Sequence, residues 1–251
     1  AGPGDPDMLT LGAVRALGQA DVVVYDALVD ERVLGLIRRE ARRVYAGKRG
    51  GKPSVAQTAI TETLVREAAA GRRVVRLKGG DPFIFGRGGE EAEALAAAGV
   101  PFRVVPGVTS ALAGLAEAAI PATMRGANRA LVLATGHSLQ PGHSAIDWEA
   151  LAQLNQPVLL YMAMRYLPEI CARLIAGGMA PETPAALIAS VSLPDARMLI
   201  TRLDRLGEES RAFEAPAIAV IGWIVEERKR LLPGAHADAG VAAEAQARDA
   251  G

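Results

Sequence analysis

Short apolar runs alternate with helical stretches along this chain, and most runs end in glycine, proline or a charged residue. That rhythm constrains the fold more than any other feature. Runs of four or five apolar residues fit strands buried on both faces, and stretches with apolar residues three and four apart fit helices that cover them. In the first half, Val22-Val23-Val24-Tyr25 closes on Asp26, and Arg43-Val44-Tyr45-Ala46 closes on Gly47-Lys48-Arg49. Arg73-Val74-Val75-Arg76-Leu77 runs into Lys78-Gly79-Gly80-Asp81, and Phe102-Arg103-Val104-Val105 into Pro106-Gly107-Val108-Thr109. Helical patterns lie between them, including residues 11–17, 32–39 and 111–119. Another carries Ile60, Leu64 and Ala68 on one face behind a Ser54–Gln57 capping box.

Strict alternation of strand and helix predicts a mostly parallel sheet in the first half. After Pro121 the strand patterns fall at 130–134, 157–162, 185–191, 198–201 and 217–221, with helices from Asp147, Arg165 and Asp204. Only a few residues join 187–191 to 198–201, which predicts an antiparallel pair and a mixed second sheet. The expected fold is therefore α/β: an N-terminal α/β domain over 1–110, a C-terminal one over 111–233, and a tail over 234–251, with the active-site cleft between the domains. Ala1-Gly2-Pro3-Gly4-Asp5-Pro6 reads as a turn of the kind that follows a strand, so a first strand is expected to be missing ahead of it.

Composition narrows function. Lysine plus arginine equals aspartate plus glutamate at 28 each in 251 residues. A neutral chain exerts no global pull toward nucleic acid or an anionic membrane, so an anionic partner needs a local patch. The single cysteine, Cys171, excludes an internal disulfide and reads as a buried helical residue. No apolar run approaches the roughly 18 residues that span a bilayer, and the expected compartment is the cytoplasm. His137 and His143 are too loosely spaced to predict a metal site.

The loop at residues 78–89 holds five glycines in twelve residues, beside Asp81, Pro82, Phe83, Ile84 and Phe85. Glycine allows backbone to approach a ligand closely, and ligands of open α/β sheets bind at the carboxyl ends of strands. The loop lacks the Gly-Lys-Ser/Thr ending of a phosphate loop, and Pro3 interrupts the dinucleotide fingerprint. An adenosyl ligand without a phosphate chain fits better. Lys48, Arg49, Lys52, Arg76, Lys78 and Arg87 cluster at these strand ends, which reads either as an ordinary solvated basic face or as recognition of an acidic small molecule. Asp26, ending an apolar strand, reads equally as a proton-exchanging carboxylate or as a helix cap.

Together, Ala1-Gly-Pro-Gly-Asp-Pro, Val24-Tyr-Asp-Ala-Leu-Val, Gly47-Lys-Arg-Gly-Gly-Lys, Leu77-Lys-Gly-Gly-Asp-Pro-Phe-Ile-Phe-Gly-Arg-Gly, Val105-Pro-Gly-Val-Thr-Ser and Thr135-Gly-His resemble the uroporphyrinogen-III C-methyltransferases, a branch of the tetrapyrrole methyltransferase family. The resemblance runs in order from Ala1 to about Leu232. It implies two successive methyl transfers from S-adenosylmethionine to rings A and B of uroporphyrinogen III, giving precorrin-2 and S-adenosylhomocysteine, in a homodimer of the tetrapyrrole methylase fold without a metal. It also implies cofactor contacts from Pro3, Gly79, Gly80, Asp81, Ile84, Thr109, Ser110, Met162, Val191 and Gly222. Asp26 becomes the general base and Lys48 the proton donor, with Arg49 holding substrate carboxylates. Ser110 stands where alanine is usual, and Val191 where glycine or alanine is frequent.

Overall fold

The computed structural model describes residues 1–47, 57–139 and 146–233. Contacts divide the chain into two compact units, Ala1–Ser110 and the remainder from Ala111.

In the first unit, helix α1 (Leu11–Gln19) leads to strand β1 (Val22–Tyr25) and helix α2 (Glu31–Leu34) to β2 (Arg42–Tyr45). Helix α3 (Gln57–Ala69) leads to β3 (Val74–Leu77), and α4 (Gly88–Ala97) follows. The strands lie in the order β2-β1-β3, all parallel, with Val23 opposite both Arg43 and Val75. Val23 faces Leu17, Val33 and Ile37 on one side of the sheet, while Val22 and Val24 face Ile60 and Leu64 on the other. The unbroken valine run thus marks a central strand covered on both faces. At its carboxyl end Tyr25 meets Tyr45 of β2 edge-on, with ring centroids 5.5 Å apart. Thr10 starts α1 by accepting the Ala13 N–H at 3.2 Å.

Three sequence expectations change here. The helix expected over 32–39 stops at Leu34, where Gly35 caps it, and turns carry the chain onward. Ser54 of the expected capping box lies outside the described residues, and Gln57 instead donates to Glu91 Oε1 at 2.9 Å. The strand expected at 102–105 is not formed, and Phe102 and Val104 are 47% and 38% exposed. Apolar alternation meets only half of what a strand needs. The other half is a neighbour within about 5 Å, and a groove of about 490 Å³ lined by residues 72–78 and 100–105 holds this segment away from β3.

In the second unit, helix α5 (Ser110–Glu117), which begins on the last residue of the first unit, precedes β4 (Val132–Thr135). Helix α6 (Trp148–Gln153), strand β5 (Val158–Tyr161) and helix α7 (Leu167–Ala176) follow, then the hairpin β6 (Pro184–Ala189) and β7 (Arg197–Arg202). Helix α8 (Leu203–Glu209), strand β8 (Ala217–Ile221) and helix α9 (Glu227–Leu231) complete it. The order is β4-β5-β8-β6-β7: β4 and β5 are parallel, β8 is antiparallel to both β5 and β6, and β6 pairs antiparallel with β7 as its short connection predicts.

Strands β5, β6 and β8 are buried along their whole length. Trp148, Leu160, Leu167, Ile170, Leu174, Leu187 and Leu203 form the core beside them. Each such side chain contributes roughly 2 kcal/mol of burial. Cys171 sits in this core, and burial pushes its thiol up to about 12, which leaves it unreactive at neutral pH. Trp223, by contrast, is 54% exposed. Among the described residues, no helix is long and apolar enough to cross a membrane.

Candidate functional site

The first unit gathers three glycine turns at the carboxyl end of its sheet. Gly2 N–H donates to the Gly80 carbonyl at 3.3 Å and Gly80 N–H donates to the Gly2 carbonyl at 2.7 Å, both residues holding positive φ. Gly107 packs against this bridge so closely that a Cβ there would lie 2.5 Å from the Gly80 carbonyl oxygen. Asp81 clips the turns together. Its Oδ1 accepts the Phe83 N–H at 2.8 Å and its Oδ2 accepts the Gly107 N–H at 3.0 Å.

A Cβ on Gly80, in contrast, would meet nothing closer than 3.8 Å, with Thr109 Cα and Ser110 N at its edge. The turns therefore meet in a recess of bare backbone at the start of α5. Gly80, Thr109 and Ser110 edge this recess, Asp81 clips it, and Pro3 and Gly79 adjoin the Gly2–Gly80 bridge along the chain. Ile84 follows in the same turn, its N–H donating to the Asp81 carbonyl at 3.3 Å. Asp81 acts as a clip between the turns, a role its position in the sequence does not reveal.

Asp26 sits beside the recess within a buried charge network. Its Oδ1 accepts the Leu28 N–H at 3.2 Å and its Oδ2 accepts from Arg76 Nη2 at 3.3 Å. The cap of α2 is Asp30, so the helix-cap reading of Asp26 falls away and a local turn takes its place. Arg76 also donates through Nε to Glu91 Oε1 at 3.1 Å, and Lys78 Nζ lies 3.5 Å from the same oxygen. Burial, with Arg76 nearby, holds the Lys78 ammonium below the usual lysine range. Arg87 is paired with Glu90 at 2.6 Å. Arg76 and Lys78 are therefore matched to Glu91 and Arg87 to the exposed Glu90, pairings that the sequence pattern does not show. The reason is Glu91, whose helical position reads as a solvated charge but whose side chain is only 5% exposed. Lys48, Arg49, Lys52 and His143 lie outside the described residues.

The second unit places two of its expected contacts at one end of its sheet. Met162 follows β5 with φ +51° and is 42% exposed. Gly136 allows the close approach here, since a Cβ on it would lie 2.9 Å from the Met162 carbonyl oxygen. Val191 follows β6, which runs parallel to β5 through their shared neighbour β8, so both residues sit at the carboxyl ends. Ser190 and Ser192 on either side of Val191 have φ of +52° and +64°. Such strain persists only where the surroundings impose it. Ser190 N–H donates to the Pro216 carbonyl at 3.0 Å, and the Glu117 carboxylate accepts from both the N–H and the hydroxyl of Ser192.

Gly222 does not join them. Strand β8 runs antiparallel to β5, so Gly222 lies against Pro157 at the amino end of β5. Four residues of extended strand, about 13 Å, separate that end from Met162. Gly222 is withdrawn as a cofactor contact on this ground. Among the described residues, no group of three His, Cys, Asp or Glu side chains is arranged to hold a metal ion.

A family model described as tetrapyrrole (corrin/porphyrin) methylases matches residues 1–207. The chain belongs to this family. It is 49% identical over 236 residues to a uroporphyrinogen-III C-methyltransferase of Sinorhizobium, covering 92% of this chain and 84% of that protein. It is 48% identical over 233 residues to a siroheme synthase of Methylococcus capsulatus, covering 92% of this chain but 49% of that protein. The chain thus spans about half the length of the siroheme synthases it matches. Among solved structures, the uroporphyrin-III C-methyl transferase of Thermus thermophilus complexed with S-adenosylhomocysteine is similar with a TM-score of 0.77 at 38% identity, over 90% of this chain and 95% of that one. The tetrapyrrole methylase fold thus accounts for both sheets, the parallel and the mixed.

Proposed function

We propose that this chain methylates uroporphyrinogen III at carbon on rings A and B, using S-adenosylmethionine, and passes through precorrin-1 to precorrin-2. The observation that carries the reading is the recess framed by Gly2, Gly80 and Gly107 and clipped by Asp81, in a chain so similar to a protein named for this reaction. When bound, the cofactor supplies an electrophilic methyl group on a sulfonium centre. The chain's own residues align and exclude. Pro3, Gly79, Gly80, Asp81, Ile84, Thr109 and Ser110 hold the cofactor by backbone and turn contacts, and the family resemblance adds Met162 and Val191 to its contacts. Alignment of this kind lowers the barrier by removing the entropy of encounter.

Asp26 takes the proton released as the methylated ring regains conjugation, Lys48 returns one, and Arg49 holds carboxylates of the substrate. The protein works as a homodimer in the cytoplasm, and its product feeds sirohaem, cobalamin or haem d1 synthesis. Anaerobic incubation with uroporphyrinogen III and S-adenosylmethionine, read by mass spectrometry, should show a gain of one and then two methyl groups. Unchanged substrate mass with folded, S-adenosylhomocysteine-binding protein would overturn the assignment of substrate. Absence of S-adenosylhomocysteine binding by calorimetry would favour a non-catalytic tetrapyrrole carrier instead.

A further inference from the structure

We infer that Arg76 is a positioning residue that sets the orientation of the Asp26 carboxylate, and that Glu91 is the buried counter-ion that holds Arg76 in place. The inference rests on the reading of Asp26 as the general base. Arg76 lies opposite Val24 in the β1–β3 ladder, two residues before Asp26 leaves the sheet. Its guanidinium is committed on every side. Nη1 donates to the carbonyls of Val24 at 3.3 Å and Leu77 at 3.0 Å, Nε to Glu91, and Nη2 to Asp26. A planar fork with its donors fixed in this way has one orientation. Asp26 is in turn held at both oxygens, by the Leu28 N–H and by Arg76, so its carboxylate plane is set from behind.

Glu91 receives three donors at one oxygen: Gln57 Nε2, Arg76 Nε and Lys78 Nζ. Arg76, Lys78 and Glu91 are largely buried and the Asp26 side chain is 25% exposed, and the two cations balance the two carboxylates. A buried ionic cluster of similar volume is often no more stabilising than its apolar replacement. The functional return is a base whose plane is fixed before substrate arrives.

The test compares Arg76→Met, Arg76→Lys, Asp26→Asn and the double variant Asp26→Asn with Arg76→Met. Each is assayed for kcat and KM with uroporphyrinogen III, for S-adenosylhomocysteine affinity and for Tm. Arg76→Met should lower kcat roughly 100-fold, the scale of a misplaced reacting group, with KM and cofactor affinity within about threefold. Arg76→Lys, which keeps the charge but loses the fork, should recover part of that loss. In the Asp26→Asn background, Arg76→Met should cost little more, because the two act through one group. Unchanged kcat in Arg76→Met beside an inactive Asp26→Asn would overturn the positioning role alone. Full activity of Asp26→Asn would overturn the base assignment and this inference with it. Should Arg76→Met fail to fold, Arg76→Lys decides: a kcat loss matched by equal loss of cofactor affinity makes the cluster structural.

Discussion

Gly107 is the position where one added methyl group should do most damage. Its Cβ would sit 2.5 Å from the Gly80 carbonyl oxygen and 3.5 Å from the Gly2 nitrogen. Ordinary contact begins near 3.5 Å, so the Gly80 turn must retreat by roughly 1 Å. It has little freedom to do so, because the same carbonyl accepts the Gly2 N–H and the Gly107 N–H is clipped by Asp81. Overpacking of this kind costs about 1–3 kcal/mol. Expressed as cofactor affinity, at 1.4 kcal/mol per tenfold, Gly107→Ala should weaken S-adenosylhomocysteine binding about 5- to 140-fold.

Gly89→Ala is the matched control. Nothing lies within 4 Å of its Cβ, and it sits in the first turn of α4. There the added methyl group improves helix propensity by up to about 1 kcal/mol, so Tm should rise with affinity unchanged. Isothermal calorimetry and thermal melts on the three proteins suffice. Binding by Gly107→Ala within twofold of the parent, at unchanged Tm, would refute the claim that these turns form one rigid recess. A lower Tm with full affinity would move Gly107 from the recess to the scaffold.

Two further outcomes follow from the same geometry. Arg42, 2.5 Å from Glu67, and Arg72 beside it hold the Glu67 carboxyl down to about 2 from an ordinary 4.5. Its contribution to stability is therefore present above pH 4.5 and is lost as pH falls from there toward 2. Glu67→Gln should flatten the acid limb of a stability–pH curve over that window, and an unaltered limb would show that the pair contributes nothing. Glu117→Ala removes the carboxylate that accepts from the Ser192 N–H and hydroxyl, at a residue that itself holds φ +64°. Each part-buried hydrogen bond lost costs about 0.5–1.5 kcal/mol, so Tm should fall and cofactor affinity drop with it, whereas an unaffected affinity would separate the Val191 loop from the cofactor.

The sheets were legible in the sequence because buried strands write themselves as apolar runs, as the valines of β1 and the hairpin of β6 and β7 do. The segment at 102–105 carries the same pattern without becoming a strand, since pairing depends on a partner and not on the segment itself. Gly222 was misplaced for a related reason. A glycine after a strand marks a strand end, but only topology says which end, and β8 runs against β5. The convergence of the glycine turns was readable, because few sequences need so many bare positions at strand ends. The balance of the charge network was not, because Glu90 and Glu91 look alike in a helical pattern, and only packing turns Glu91 inward.

The uneven distribution of aromatic residues makes each unit spectroscopically distinct. Both tryptophans of the chain, core Trp148 and exposed Trp223, belong to the second unit. The first unit carries instead the edge-on pair of Tyr25 and Tyr45. Tryptophan emission excited at long wavelength therefore watches the second unit alone. Near-ultraviolet dichroism adds the tyrosine pair at the carboxyl ends of β1 and β2 to the signals of Tyr161, Tyr166 and the tryptophans of the second unit. Denaturant curves recorded with the two signals would coincide if the units unfold together and part if each melts by itself.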